Sequence, residues 1–477
     1  MSMPRRALRL AVWIVVCITV GIEPVPAADP SRSCLFPVFD SDTNEFLGLS
    51  MVNTSGAVNE ATITWTNADG SRGRTGRISL PPGAQRALLV REILGMPQDP
   101  PDGWLRIESL EPGLLSYLTS GTNTKLDGTE GVLQPATTIV FGHIAVNTGL
   151  VELGHTDTHI ALVNPGSVPA SGRAELIGID GRTVGSLEIS IPASGSRIIR
   201  VSESFRDVLP ENNLGGRKFD GYVKMASDVG IAGWQRVETP LSRGLLRGRA
   251  VEEIVPESQL LAAHFASGGM ALYSSVLNLI NGGDSPLKLT LTAQDERGNN
   301  IGSIVQLTLE PRQGVREDIL RIFHVVIPAI YPPPLITGTI RIRAAEGHAF
   351  SGIGDVAIFS AGNAASMLYP VTRAVSRDWT LPFVVSGQDY FTGYAIANPN
   401  ELLTVQTDVT VDLLDTEGHP AAPTREISLS PSARLAELVG KDIRSGYLRI
   451  QANLPIVLLG SIGTSDGSAL ATLPALR

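Results

Sequence analysis

A short apolar run ending in asparagine occurs four times: SMVN (50–53), ALVN (161–164), NLIN (278–281) and AIAN (395–398). The four asparagines, Asn53, Asn164, Asn281 and Asn398, are 111, 117 and 117 residues apart. Self-similarity at roughly 115 residues is repetition at the length of one small domain. No other feature constrains the fold as strongly, because each repeat must bury its apolar face in the same way.

Further landmarks keep the same order. A turn glycine follows each asparagine, at Gly70, Gly181, Gly298 and Gly418. A proline turn comes next: LPPG from Leu80, IPASG from Ile191, LEPRQG from Leu309 and LSPSA from Leu429. Then comes a segment with helical spacing: VREIL from Val90, SESFRDVL from Ser202, REDILRIF from Arg316 and LAELV from Leu435. The clearest strand follows it: DGWLRI, DGYVKM, TGTIRI and SGYLRI. Each repeat closes on an apolar stretch ending at Pro135, Pro256, Pro370 or Pro474.

Between these landmarks the sequence alternates, as in EATITWTN (60–67), LKLTLTAQD (287–295) and DVTVDLLD (408–415). Alternation means strands with one buried and one wet face. The chain is rich in Gly (49) and Pro (32) and only 5% aromatic, which suits many short strands and turns. The expected fold is all-β: four tandem β-sandwich units spanning 29–135, 136–256, 257–370 and 371–477, each with one short helical turn. The chain resembles exported bacterial proteins built from tandem immunoglobulin-like β-sandwich repeats. That resemblance is architectural and implies binding, adhesion or scaffolding. It lacks the Cys…Trp…Cys signature and transfers no site residues. Short connections between units predict a semi-rigid, elongated string of domains.

Residues 1–28 read as a secretory signal peptide: Arg5, Arg6 and Arg9 precede the apolar run 10–22, and VPAA (25–28) offers a cleavage site. The expected location is therefore exported: periplasm, cell surface or medium. Cys17 would leave with the signal, so Cys34 stands alone, either as a buried thiol or as an intermolecular link. No other stretch is long and apolar enough for a membrane helix. A net charge of −9 with scattered Lys and Arg argues against a nucleic-acid partner.

Candidate chemistry is sparse. GHTDTHIALVNPG (154–166) sets His155, Asp157 and His159 at alternate positions, so a strand would present all three on one side. Ile160 and Leu162 align with apolar positions in the other repeats, which assigns the three polar residues to the wetter face. A metal site would need a bend that brings His155 and His159 together. The polar-face reading comes first and the metal site second. Glu252–Glu253 and Asp295–Glu296 fall at turns and read as solvated surface. Trp65, Trp104, Trp234 and Trp379 read as core rather than sugar-stacking platforms. IPAIYPPPLIT (327–337) lengthens one connection of the third repeat, as a rigid loop or a contact surface. The sequence carries no H-E-x-x-H or phosphate-loop motif.

The functional expectation is a non-catalytic protein, without cofactor, that binds a protein or glycan partner at the cell envelope or outside the cell. The alternatives are a secreted polysaccharide-acting enzyme or its carbohydrate-binding accessory chain, and a surface filament subunit coupled through Cys34.

Overall fold

The computed structural model describes residues 33–477, apart from 40–44, 123, 149–154, 214, 255–256, 347–348, 361–364, 373–374, 402–404 and 441. The signal-like segment 1–28 lies outside the described residues. Among the described residues the chain is nearly all β, with three short α-helical turns.

The first unit sets the pattern. Its strands are β1 (Ser33–Val38), β2 (Phe46–Asn53), β3 (Asn59–Thr66), β4 (Arg72–Leu80), β5 (Gln85–Leu89), β6 (Gly103–Ser109), β7 (Leu114–Gly121) and β8 (Leu126–Glu130). They form two antiparallel sheets, ordered β1-β6-β3-β4 and β5-β2-β7-β8. The inward residues of both sheets meet: Phe36, Leu49, Met51, Ile63 and Leu105 are essentially inaccessible. The alternating sequence of β3 appears as alternating burial, Asn59, Ala61, Ile63 and Trp65 inward and Glu60 outward.

The same eight-strand path recurs in the three later stretches. In the second and fourth, the sixth and seventh strands run on as single long strands, Lys218–Glu238 and Ile443–Thr464, each serving both sheets. Helical turns follow the fifth strand at Val90–Leu94, Val201–Ser204 and Ile319–Ile322. The fourth expected helix is absent as such: LAELV lies largely in the strand Arg434–Leu438, paired with Gly393–Ala397 of its neighbour. Sheet pairing there overrides a helical spacing that spans barely one turn.

The recurrent asparagine is a buried clamp. Asn53, Asn164, Asn281 and Asn398 are all at most 1% exposed. Each amide nitrogen donates to carbonyls of its own proline turn: Asn53 to Leu80 at 2.9 Å, Asn164 to Pro192 at 3.0 Å, Asn281 to Leu309 at 3.0 Å and Asn398 to Ser430 at 2.9 Å. Each side-chain oxygen accepts a backbone N–H two residues on, from Ser55, Gly166, Gly283 or Asn400. A buried amide satisfied on both ends ties the second strand to the turn before the fifth.

Those turns then join one unit to the next. Backbone N–H groups of Ser196, Gly314 and Arg434 donate to carbonyls of Ala68, Ile179 and Glu296 in the preceding unit, at 2.9, 2.8 and 3.1 Å. The fourth bond of the set runs from Gln85 in unit one to Thr416 in unit four, at 2.9 Å. The acceptors stand two residues before the turn glycines, whose φ values are 87° (Gly70), 83° (Gly181), 84° (Gly298) and 83° (Gly418). A Cβ on Gly70 would lie 2.0 Å from the Ala193 carbonyl oxygen and one on Gly418 2.5 Å from that of Gly83. Positive φ and close approach together require glycine there. Trp104, Tyr222 and Tyr447 donate to carbonyls of Ser194, Arg312 and Gly83 in the facing turns, at 2.8, 3.0 and 2.7 Å. Small apolar clusters fill the same junctions, such as Val52, Leu115, Leu414 and Tyr447 between units one and four.

Four equivalent junctions therefore close the chain into a ring. This corrects the expected elongated string: each contact is head-to-tail, and such contacts make either an open filament or a closed ring according to the rotation per step. Here four steps return to the start. The eighth strands meet at the centre, where β8 packs on Arg243–Arg247 and Leu470–Leu473, and Ala365–Pro370 packs on the same two. Thr472 donates its hydroxyl to the Leu368 carbonyl at 2.6 Å, and Tyr117 donates to that of Thr472 at 3.1 Å.

Candidate functional site

Closing the ring leaves a central cavity of about 500 Å³, lined by residues from all four units. After its eighth strand, each unit's chain crosses over to pair with its own first strand, at Val132 with Leu35, Arg249 with Val140, Thr372 with Leu261 and Leu476 with Thr380. These crossovers form much of the wall. Most of the lining is aliphatic, including Leu115, Leu133, Leu246, Ile353, Leu368 and Leu459.

The charged lining is uneven. Arg247 is held between Glu130 at 3.1 Å and Glu253 at 2.9 Å, and this pair of carboxylates keeps it firmly charged despite burial. Arg477 lies with its guanidinium 4.7 Å from the Trp379 ring centroid. Burial pulls its pKa below the usual arginine value. Arg249 also faces the cavity. Cys34 lies on the wall, 9% exposed, and burial pushes its thiol up to about 12. Such a thiol is neutral and poorly nucleophilic, which removes the physical support for coupling filament subunits through it.

A second feature is an outward patch on unit three. The hairpin turn 268–273 lies against the loop 323–335: Gly269 N–H donates to the Pro333 carbonyl at 3.0 Å, and a Cβ on Gly269 would touch Leu335. Together they expose Val326 (88%), Tyr331 (80%), Met270 (74%), Ile330 (61%) and Leu335 (55%). No Asp, Glu, Lys or Arg occurs from 325 to 337 or from 265 to 273. The corresponding connection in the other units carries charge: Asp99 and Asp102 in unit one, Arg206, Asp207, Glu211 and Arg217 in unit two, and Asp442 and Arg444 in unit four.

The structure places the sequence candidates as follows. Asp157 and His159 fall on the strand Asp157–Val163, and His155 precedes it. The expectation of a wet outer face is corrected for Asp157, which is only 8% exposed, whereas His155 and His159 are partly exposed. Asp157 instead accepts hydrogen bonds from the N–H of Ser202 at 3.1 Å and from its hydroxyl at 2.5 Å, holding the start of the helical turn Val201–Ser204. His159 lies 3.8 Å from Asp157 and is paired across the sheet with Arg200 and Arg236. Burial and the Arg236 charge lower its pKa. Among the described residues no group of three or more His, Cys, Asp and Glu side chains is placed to hold a metal ion. Part of the neighbouring loop, 149–154, lies outside the described residues.

The four candidate tryptophans, Trp65, Trp104, Trp234 and Trp379, are buried, at 0–5% exposed, so none of them offers a stacking face. Glu253 pairs with Arg247, whereas Glu252 is exposed. Asp295 organises its own turn by accepting from the N–H groups of Arg297 and Asn299. Glu296 supplies the junction carbonyl.

Sequence reasoning missed the polar groups buried between units. His143 of unit two sits 2.6 Å from Asp355 of unit three, and Asn278 donates to the same carboxylate at 2.8 Å. Arg434 of unit four donates to His264 Nδ1 of unit three at 2.9 Å, and burial with this cation depresses His264 to about 3. Neither pair has a local signature, since the partners are 212 and 170 residues apart.

No protein-family model and no curated protein sequence matches the chain. A solved Thermotoga maritima protein, 1070, is similar to 24% of this chain and 95% of its own, at 14% identity and a TM-score of 0.20. A glycoside hydrolase family 32 structure from Bifidobacterium adolescentis is similar over 92% of this chain and all of its own, at 10% identity and a TM-score of 0.16. At such scores neither likeness carries an argument. Among the described residues no helix is long and apolar enough to cross a membrane.

Proposed function

We propose that this chain is an exported, non-catalytic binding and scaffolding protein in which four immunoglobulin-like sandwich units form one closed ring. The observation that carries the reading is the charge-free patch of unit three, displayed on a ring whose other units carry charge at the same place. Contiguous exposed apolar surface on a soluble scaffold is the usual mark of a contact site. The closed junctions favour this role because they hold the patch without hinge freedom, which lowers the entropy lost on binding. Export rests on the signal pattern of residues 1–28. The partner is a protein or glycan with a complementary apolar face.

The test is a glycan and surface-protein binding screen with the full chain and with Tyr331→Ser/Val326→Asp. The wild type binds a discrete partner and the double variant loses at least tenfold in affinity with unchanged melting temperature. A partner bound equally by both proteins removes the patch from the account. Turnover of any polysaccharide by the purified chain would replace binding with catalysis.

A further inference from the structure

His143 and His264 occupy the same place in successive repeats. Each stands three residues after the crossover partner of its first strand, Val140 in unit two and Leu261 in unit three. Each also follows the same irregularity, where pairing with the sixth strand skips from Phe141 to Ile144 and from Ala262 to Phe265. Unit four has this skip between Leu381 and Val384, with Phe383 at the place of the histidines, and the count from Leu35 gives Val38 in unit one. An imidazole therefore stands at this place in the two junctions that flank unit three, and an apolar side chain in the other two.

At the junction of units three and four, Arg434 Nη1 donates to His264 Nδ1 at 2.9 Å, so that nitrogen must keep its lone pair. The Arg434 side chain is inaccessible, and its backbone N–H makes the junction bond to the Glu296 carbonyl. A proton on Nδ1 removes the side-chain bond and sets two cations face to face. Around them, Glu296 lies 3.6 Å from Arg434, Thr337 accepts from Arg434, Arg341 is paired with Glu401, and burial keeps the Tyr369 hydroxyl neutral. Of these groups Arg434 is the one that acts on the His264 ring. At the junction of units two and three, His143 is 4% exposed and meets Asp355 at 2.6 Å, with Asn278 on the other carboxylate oxygen. Arg316 reaches across from unit three to Asp220 and to the Ile144 and Gly142 carbonyls beside the histidine. Burial and Arg316 outweigh Asp355 and Asp220 and hold His143 below its ordinary pKa.

We propose that His264 and His143 form an acid-operated latch, whose protonation parts unit three from its neighbours while the four sandwiches stay folded. Among the described residues each sheet lies within one unit, so parting a junction breaks side-chain contacts and single backbone bonds but no strand ladder. Protonation favours the open form as pH falls below the ordinary histidine value of 6.5. With His264 near 3 when closed, that residue alone multiplies the open-to-closed ratio about a hundredfold between pH 7.5 and 4.5. Unit three carries the charge-free patch, so on the contact-site reading opening removes the rigid mount of that patch.

Hydrogen exchange of the four junction amides in the full chain, as protection factors at pH 7.5 and 4.5, tests this. Gly314 and Arg434 donate across the two latched junctions, and Ser196 and Gln85 across the other two. Expected is a loss of about a hundredfold in protection at Arg434 and a smaller loss at Gly314. Ser196 and Gln85 keep theirs, and the far-UV circular dichroism is unchanged. The double variant His143→Gln/His264→Gln abolishes the acid response. Unchanged protection at Arg434, an equal loss at all four amides, a loss accompanied by loss of the β spectrum, or the same loss in the folded double variant each overturns the latch. The comparison of four amides in the unaltered chain stays decisive should the double variant not fold. It needs no partner, so the latch and the contact-site reading fail independently.

Discussion

Gln85 holds the ring shut. It is fully buried at the junction between units one and four, and its amide is used on both ends. Nε2 donates to Ser50 Oγ at 3.0 Å and to the carbonyls of Pro382 and Gly446 at 3.1 and 3.0 Å, and Oε1 accepts from Ser445 Oγ at 2.9 Å. The equivalent positions at the other three junctions are Ser196, Gly314 and Arg434. In Gln85→Ala the Pro382 carbonyl keeps its bond from Ser50 at 2.7 Å, and half-exposed Ser445 turns to water. The buried Gly446 carbonyl loses the amide donor. One buried acceptor left short costs about 1–3 kcal/mol, and the emptied side-chain volume adds to this. The expected loss is about 3 kcal/mol, which by the usual tenfold per 1.4 kcal/mol is roughly a hundredfold in the opening equilibrium of this junction. Hydrogen exchange of the Gln85 amide, which bonds Thr416 across the junction, reads that opening directly. Gln85→Met keeps most of the volume and separates packing from hydrogen bonding. A change below about 0.5 kcal/mol, the range of ordinary surface substitutions, together with unchanged exchange, would refute the closing role of Gln85.

Three further expectations follow from the same junctions. Gly70→Ala forces a side chain onto φ 87° and against the Ala193 oxygen; it should destabilise by at least the left-handed penalty of about 1–2 kcal/mol, measured by urea denaturation, whereas Gly467→Ala, with φ 75° but open space around it, should cost only that penalty. His264 has a folded pKa near 3, below its ordinary value of 6.5, so the unfolded chain takes up its proton first; its contribution is present above pH 6.5 and lost as pH falls toward 3, at a slope of up to about 1.4 kcal/mol per pH unit, and His264→Gln should flatten the denaturation midpoint over that window. Leu133 and Thr138 flank one inter-unit connection at positions matching Arg477 and Ser33 through the shared crossover pairing; a circular permutant joining Arg477 to Ser33 through four residues and opened between Pro135 and Ala136 should fold to the same hydrodynamic radius, and an expanded or aggregated product would count against the ring.

Much of the strand pattern was legible, because alternation is local: β3 and its counterparts at 287–294 and 407–414 lie within a residue or two of their sequence assignment. The short helical segments were less so. A stretch of four or five residues fits one helical turn or one strand, and at 434–438 the neighbouring strand decided. The wet face assigned to Asp157 failed because alternation tells which residues share a side, not whether another element covers that side. The sequence alone determined the period, the strands, the turns and the recurrent asparagine, glycine and proline positions, all of which follow from backbone geometry over a few residues. Only the tertiary structure decided that those glycine and proline turns dock on each other around a closed ring. Closure depends on a rotation accumulated over four junctions, and a bond such as Gln85 to Thr416 joins residues that no local pattern can pair. The central cavity is a product of that closure and has no existence in any one repeat.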